Sequence, residues 1–331
     1  MKSKMKILFI VSCILQTALA FGQAPAQQRL PREVTVTEIP GVIAAGAKWQ
    51  QVWQGMDNAD GIIGTPDGGV LFAQEQPNTV RKLDKNDFDS AYVKNTEGAG
   101  SLFIDSKGRI IATQKTCTDP GRGVPCTVPP KIGIVYPEKE RKALVDNIQG
   151  KPLARPSEAI VDKKGAIYFT DDGPYYVKPG GKAMPIGNNM RASGIMLSPD
   201  EKTLYIGSGA VVFAFDIQAD GTVTNQREFG KLQGGNGNSM TIDGAGRLYV
   251  TSGVGVQVLS AEGKHLGIIP TPRNVVAVAF SGPDKKTLYV VGQGALHPNG
   301  RDFTLAEGFR NNGKTIYKIP MIAQGFQGRA K

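Results

Sequence analysis

Histidine and cysteine are nearly missing from this chain: His265 and His297 are its two histidines, and there are three cysteines. Two histidines exclude a three-histidine metal site and leave a Ser-His-Asp triad with only those two candidates. Three cysteines are too few for a four-cysteine zinc site or an iron–sulfur ligand set. Aromatic residues make up only 7% of the chain, yet 40% apolar residues suffice to build a core, which argues against wholesale disorder. Outside the first 20 residues, no apolar run approaches the ~20 residues that a spanning helix needs. What is abundant is glycine, 42 of 331 residues, nearly twice the usual ~7%. It follows no collagen-like period, so composition alone predicts a turn-rich, all-β domain.

The first 20 residues read as a cleavable leader. Lys2, Lys4 and Lys6 form a basic start, Ile7 to Leu19 is mostly apolar, and Ala18-Leu19-Ala20 is an A-x-A cleavage sequence. The expected location is therefore the periplasm or the cell exterior. Ile10-Val11-Ser12-Cys13 also resembles a lipobox, which would anchor the chain through a lipid at Cys13. The apolar run before Cys13 is short and continues beyond it, so ordinary cleavage is the preferred reading. Losing the three lysines lowers the net charge from +10 to +7. That charge is diffuse, with acids interleaved even in Glu138-Lys139-Glu140-Arg141-Lys142, so nucleic acid is not an expected partner. In an oxidising compartment Cys117 and Cys126 are the natural disulfide pair, closing the Pro/Gly loop of CTDPGRGVPC.

A repeat dominates the rest. One phrase, apolar alternation leading to an Asp/Gly/Lys turn and a second β-rich run, recurs as DGIIGTPDGGVLFAQ (60–74), GSLFIDSKGRIIATQ (100–114), SEAIVDKKGAIYFTD (157–171), SGIMLSPDEKTLYIGS (193–208), NSMTIDGAGRLYVTS (238–252) and VAVAFSGPDKKTLYVVG (276–292). Aligned on Phe72, Ile111, Tyr168, Tyr205, Tyr249 and Tyr289, the copies lie 39, 57, 37, 44 and 40 residues apart. Each phrase is a strand–turn–strand, and further strands follow at 78–84, 211–216, 256–260 and 267–269. Four strands per ~40–45 residues is the period of a propeller blade. The fold class is all-β: a six-bladed β-propeller with four-stranded blades around a central channel. The expected organisation is a leader over 1–20, an extension over 21–54, and one propeller over 55–331 with an insertion around 115–130. Stacked sandwiches or a barrel would leave the repeat unexplained.

These phrases resemble the senescence marker protein/gluconolactonase/luciferin-regenerating-enzyme-like family. The resemblance is carried by LFAQEQPNTVRKLD (71–84), RPSEAIVDKKGAIYFTD (155–171), ASGIMLSPDEKTLYIGS (192–208), GNSMTIDGAGRLYVTS (237–252) and AFSGPDKKTLYVV (279–291). It implies a six-bladed propeller, one divalent metal in the channel, and commonly lactone hydrolysis of a sugar or other small lactone. The position that opens each phrase is Asp60, Gly100, Ser157, Ser193, Asn238 and Val276. On these the family's ligand Glu falls on Asp60, its ligand Asn on Ser193 and its ligand Asp on Asn238. Its substrate-contacting Asn falls on Ser157 and the accompanying Arg on Arg155, which is retained. Asp60, Ser193 and Asn238 are thus the implied metal set, Asp60 and Asn238 the implied catalytic pair, and Arg155 and Ser157, with Glu158 beside them, the substrate side.

No ligand matches the family residue, although all three still carry oxygen. One negative charge stands where the family has two, which weakens a calcium, magnesium or zinc site, calcium fitting hard oxygen donors best. An amide at Asn238 cannot take a proton from water near neutral pH, so Asp60 or Glu158 would have to serve as base. Plainer readings stand beside these. Asp60-Gly61 and the Asn236-Gly237 pair before Asn238 are also turn formers, the two serines fit strand ends, and Arg155 fits a surface. Asp105, Asp162 and Asp243 read as hairpin-turn residues. Two functions follow: an exported, metal-assisted lactone hydrolase, or a non-catalytic propeller with a degenerate metal site that serves as a binding or scaffold module.

Overall fold

Each phrase folds into an antiparallel hairpin because its apolar side chains alternate on both arms and the turn carries its own hydrogen bonds. Asp105, Asp162 and Asp243 each accept a backbone N–H four residues on, from Arg109, Ala166 and Arg247, at 2.8–2.9 Å. These are the self-bonded turns that aspartate favours. In the computed structural model, residues 30–115, 128–188, 190–300 and 313–331 are described. Cys13, Cys117 and Cys126, and with them the predicted leader and disulfide, lie outside the described residues.

Six four-stranded antiparallel sheets form the blades, and among the described residues there is no α-helix. The innermost strands are Ile62–Gly64, Ala99–Ile104, Ala159–Val161, Ile195–Leu197, Met240–Ile242 and Val275–Ser281. Each pairs with a second strand: Val70–Gln74, Ile110–Gln114, Ile167–Thr170, Thr203–Ser208, Leu248–Ser252 and Thr287–Gln293. The apolar core lies between the faces of neighbouring blades. Ring closure is not sequential: the strand Gln50–Gly55 adds to Lys314–Pro320 as the outermost strand of the sixth blade. The boundary expected at 54/55 therefore cuts through a strand of the propeller. Closing the ring this way covers an edge that would otherwise be open for pairing. Trp53 also fastens the closing strand to the first blade, donating to Asp89 Oδ2 at 2.9 Å and lying 4.8 Å from the Phe72 ring centre.

The first blade differs from the other blades in register at Phe72. Ile111, Tyr168, Tyr249 and Tyr289 pair with Phe103, Ile160, Thr241 and Ala279, two positions beyond the turn. In the first blade that place belongs to Leu71, paired with Ile63, and not to Phe72. The turn there begins at Thr65, whose N–H donates to Gly69 O at 2.9 Å, one residue shorter than the turn from Ser198 to Thr203, so matching Phe72 to Tyr205, each five residues after a Pro-Asp aspartate, shifts the register by one. A one-residue shift moves a side chain to the other face. Phe72 accordingly packs with residues of the sixth blade, and Leu71 with those of the second.

The far end of the channel is closed by the segment 324–331. Phe326 N–H donates to Ile242 O at 3.1 Å, Gly64 N–H donates to Ala330 O at 2.7 Å, and Arg329 donates to Leu197 O at 2.9 Å. All three partners are last residues of innermost strands, so the segment crosses the blades at the end opposite to the phrase openings.

Candidate active site at the channel mouth

Four of the phrase-opening positions share one hydrogen bond. The N–H groups of Asp60, Ser157, Ser193 and Asn238 donate to the carbonyls of Ala73, Thr170, Gly207 and Thr251 at 2.9–3.0 Å. They are therefore structural equivalents, standing at the same end of four blades, where the radial arrangement brings the innermost strands around one axis.

Asp60 has company that its own phrase does not reveal. Its carboxylate, with the side chain 33% exposed, accepts from Lys115 Nζ at 3.0 Å. Lys115 also pairs closely with the carboxylate of Glu75. Lys115 and Glu75 are both buried, at 6% and 4% exposure. Glu75 directly follows the second strand of the first blade and Lys115 the second strand of the second blade, so the two occupy equivalent places in adjacent repeats. Burial works against the Asp60 charge, but the Lys115 ammonium and its hydrogen bond outweigh it, and the positive charge of Lys314 adds to them. The carboxyl is thereby held at about 2. Glu75 moves the other way: burial pushes it above the usual carboxylate range, and the neighbouring Asp60 charge adds to this against the pull of Lys115. Burial alone would lower Lys115, but the two carboxylates raise it above the ordinary lysine value. One ammonium thus serves two carboxylates whose proton affinities are driven apart, the pattern that separates an acid from a base.

The repeated phrases stop at Gln74 and Gln114, one residue short of Glu75 and Lys115. Opposite charges after a shared glutamine in successive copies were the available clue.

The other predicted residues are placed as follows. The Ser193 hydroxyl donates to Gly237 O at 2.8 Å, stitching the fourth blade to the fifth. Asn238 is half-buried, and Ser157 is exposed with its carbonyl 3.4 Å from Thr113 Oγ1. Arg155 is exposed and its N–H donates to Asp171 Oδ1 at 2.5 Å. Glu158 is buried and its carboxylate pairs with Lys331 of the closing segment. It is committed to that far-end contact rather than standing with Ser157 at the mouth. His265 accompanies Gln257 Oε1 at 3.1 Å in the outermost strand of the fifth blade.

A divalent ion held by Asp60, Ser193 and Asn238 does not fit these residues. The Asp60 carboxylate is engaged by an ammonium and the Ser193 proton by a backbone carbonyl. Among the described residues no group of three His, Cys, Asp or Glu side chains could hold a metal.

Residues 76–293 match the family described as the SMP-30/Gluconolactonase/LRE-like region. The chain belongs to that family. A gluconolactonase from Zymomonas mobilis is 26% identical over 184 residues, covering 46% of this chain and 52% of that protein, so this chain matches only about half the relative's length. A gluconolactonase structure from Xanthomonas campestris superposes with a TM-score of 0.69 at 19% identity, covering 90% of this chain and 99% of that one. The calcium-binding protein regucalcin from Agrobacterium tumefaciens gives 0.62 at 15% identity, over 82% and 92% of the two chains. At these identities the structures speak for the six-bladed fold.

Proposed function

We propose that this chain hydrolyses a small lactone, from a sugar or another hydroxy acid, at the channel mouth where Asp60 stands. The observation that carries the reading is the Asp60 carboxylate, ionised and partly open to the channel while its partners are buried, in a chain of the gluconolactonase-like family. In the reaction, a water oxygen bonds to the lactone carbonyl carbon and the ring C–O bond breaks. The ring oxygen takes up a proton, and a hydroxy acid leaves. At about 2, Asp60 is a weak base but a permanent anion, suited to orienting the water. Glu75, bound to the same ammonium and holding its proton more tightly, is the better proton carrier. Lys115, buried between the two carboxylates, keeps Asp60 ionised. The leader over 1–20 supports placing this activity in the periplasm or outside the cell.

The test is a pH-stat assay of the purified chain against sugar and aromatic lactones, with and without chelator. At least one lactone should open faster than in buffer, with chelator present as well as absent. If none does, the hydrolase reading falls. The binding-module reading is favoured by the Ser193 hydroxyl spent on Gly237 O and by an amide at Asn238 in place of an acid. Saturable lactone binding without turnover in the same preparation would establish it.

A further inference from the structure

We propose that Lys115 is a built-in cation, its ammonium standing in for a divalent ion between Asp60 and Glu75, so that the channel mouth carries its own positive charge without metal. Three observations converge on this.

The first is the way the carboxylates are assembled. Asp60 opens the first blade's inner hairpin and Glu75 ends it, so both arms deliver a carboxylate to one point. Lys115 reaches that point from the neighbouring blade, 3.0 Å from Asp60 Oδ2 and in close contact with Glu75. Carboxylates taken out of water side by side need a positive charge between them, and here the chain itself provides it.

The second is the space made for the lysine. Gly100 is the phrase-opening position of the second blade, where four other blades carry Asp, Ser or Asn and the sixth Val276. A Cβ at Gly100 would lie 2.8 Å from Lys115 Nζ and 2.9 Å from Cε. The side chain that would line the mouth here is missing, and the ammonium occupies its place. Lys115 is further anchored by its N–H, which donates to Gly98 O at 3.0 Å.

The third is competition. Calcium requires six to eight oxygens at roughly 2.3–2.6 Å. Here the carboxylates are already engaged, and an incoming ion would meet the like charge of a covalently tethered lysine. Removing that charge should open the same place to an ion. Lys115 is in this sense a positioning residue, holding Asp60 in its half-buried, charged setting, and the inference stands whether or not the chain opens lactones.

The test titrates calcium chloride calorimetrically into the full chain, as wild type and as Lys115→Met, with the fold monitored by circular dichroism. Wild type should show no one-to-one calcium binding with Kd below about 1 mM. Lys115→Met should gain it, at least about ten-fold tighter than that limit, and adding Asp60→Asn should remove it. One-to-one binding to wild type below the limit overturns the proposal, and so does a folded Lys115→Met that gains none. Should Lys115→Met not fold, the wild-type titration decides by itself.

Discussion

The contact between Lys331 and Glu158 joins residues 173 positions apart and fastens the closing segment inside the ring. Lys331 is 3% exposed and Glu158 6%, so both charges are out of water. Lys331→Met keeps the apolar stem and deletes only the charge, leaving the Glu158 carboxylate buried without its partner. Breaking a buried ion pair from one side costs about 3–5 kcal/mol, whereas replacing both members with apolar or neutral groups of similar size is often close to neutral. The single variants Lys331→Met and Glu158→Gln should each lose that amount in urea unfolding at pH 7, while the double variant should lose less than about 1 kcal/mol. At about 2 °C per kcal/mol for a large domain, the single variants should melt about 6–10 °C lower. A double-mutant cycle isolates the coupling. Should each single change cost no more than the ~1 kcal/mol typical of an exposed pair, water reaches Lys331 and the far end of the channel is not sealed by this segment.

Two further outcomes follow. Asp60→Asn keeps the shape but removes the charge that orients water, and should cut lactone turnover by at least about 100-fold; steady-state kinetics showing an unchanged rate would place the reactive group elsewhere. Lys285 donates to the carbonyls of Phe326 and Arg329 in the closing segment, and burial, with the Arg329 charge adding to it, lowers it from 10.5 to about 8. A lysine depressed in the folded state penalises folding while it is protonated in both states, below about pH 8, and the penalty fades as pH rises toward 10.5. The stability of wild type relative to Lys285→Met, measured by urea unfolding from pH 7 to 10.5, should therefore climb across that window; a flat difference would show that Lys285 is not desolvated by the segment.

The propeller was legible because a blade is a local object. Each hairpin is specified within about fifteen residues by alternation and a self-bonded turn, and the shared hydrogen bond at Asp60, Ser157, Ser193 and Asn238 shows that register could be carried from copy to copy. Phe72 stands one residue out of that register, because Thr65 opens the first turn where aspartate opens others, and pairing follows the hydrogen bond rather than the residue type. The extra strand Gln50–Gly55 and the segment 324–331 were not legible for a different reason. Each is defined by partners more than 200 residues away in sequence for ring closure, or 173 for Lys331, and nothing in QQVWQG or QGFQGRAK names those partners.

The channel mouth falls between these cases. Asp60 could be read from its place in the repeat, but what it does depends on Glu75, fifteen residues on, and on Lys115 from the next blade. A carboxylate read alone at that position is a candidate metal ligand. The same carboxylate 3.0 Å from a buried ammonium is one half of an ion pair whose other half is already supplied. Asp60 counts as a ligand or as a partner according to whether a neighbouring repeat brings a cation to it. In this chain Gly100 shows that the second blade has made room to do so. The phrase-opening glycine, which by itself looks like one more turn residue in a glycine-rich sequence, is therefore the clearest single mark of how this mouth is built: substituting even alanine there should push the lysine off Asp60 and return the carboxylate to the role its position alone implies.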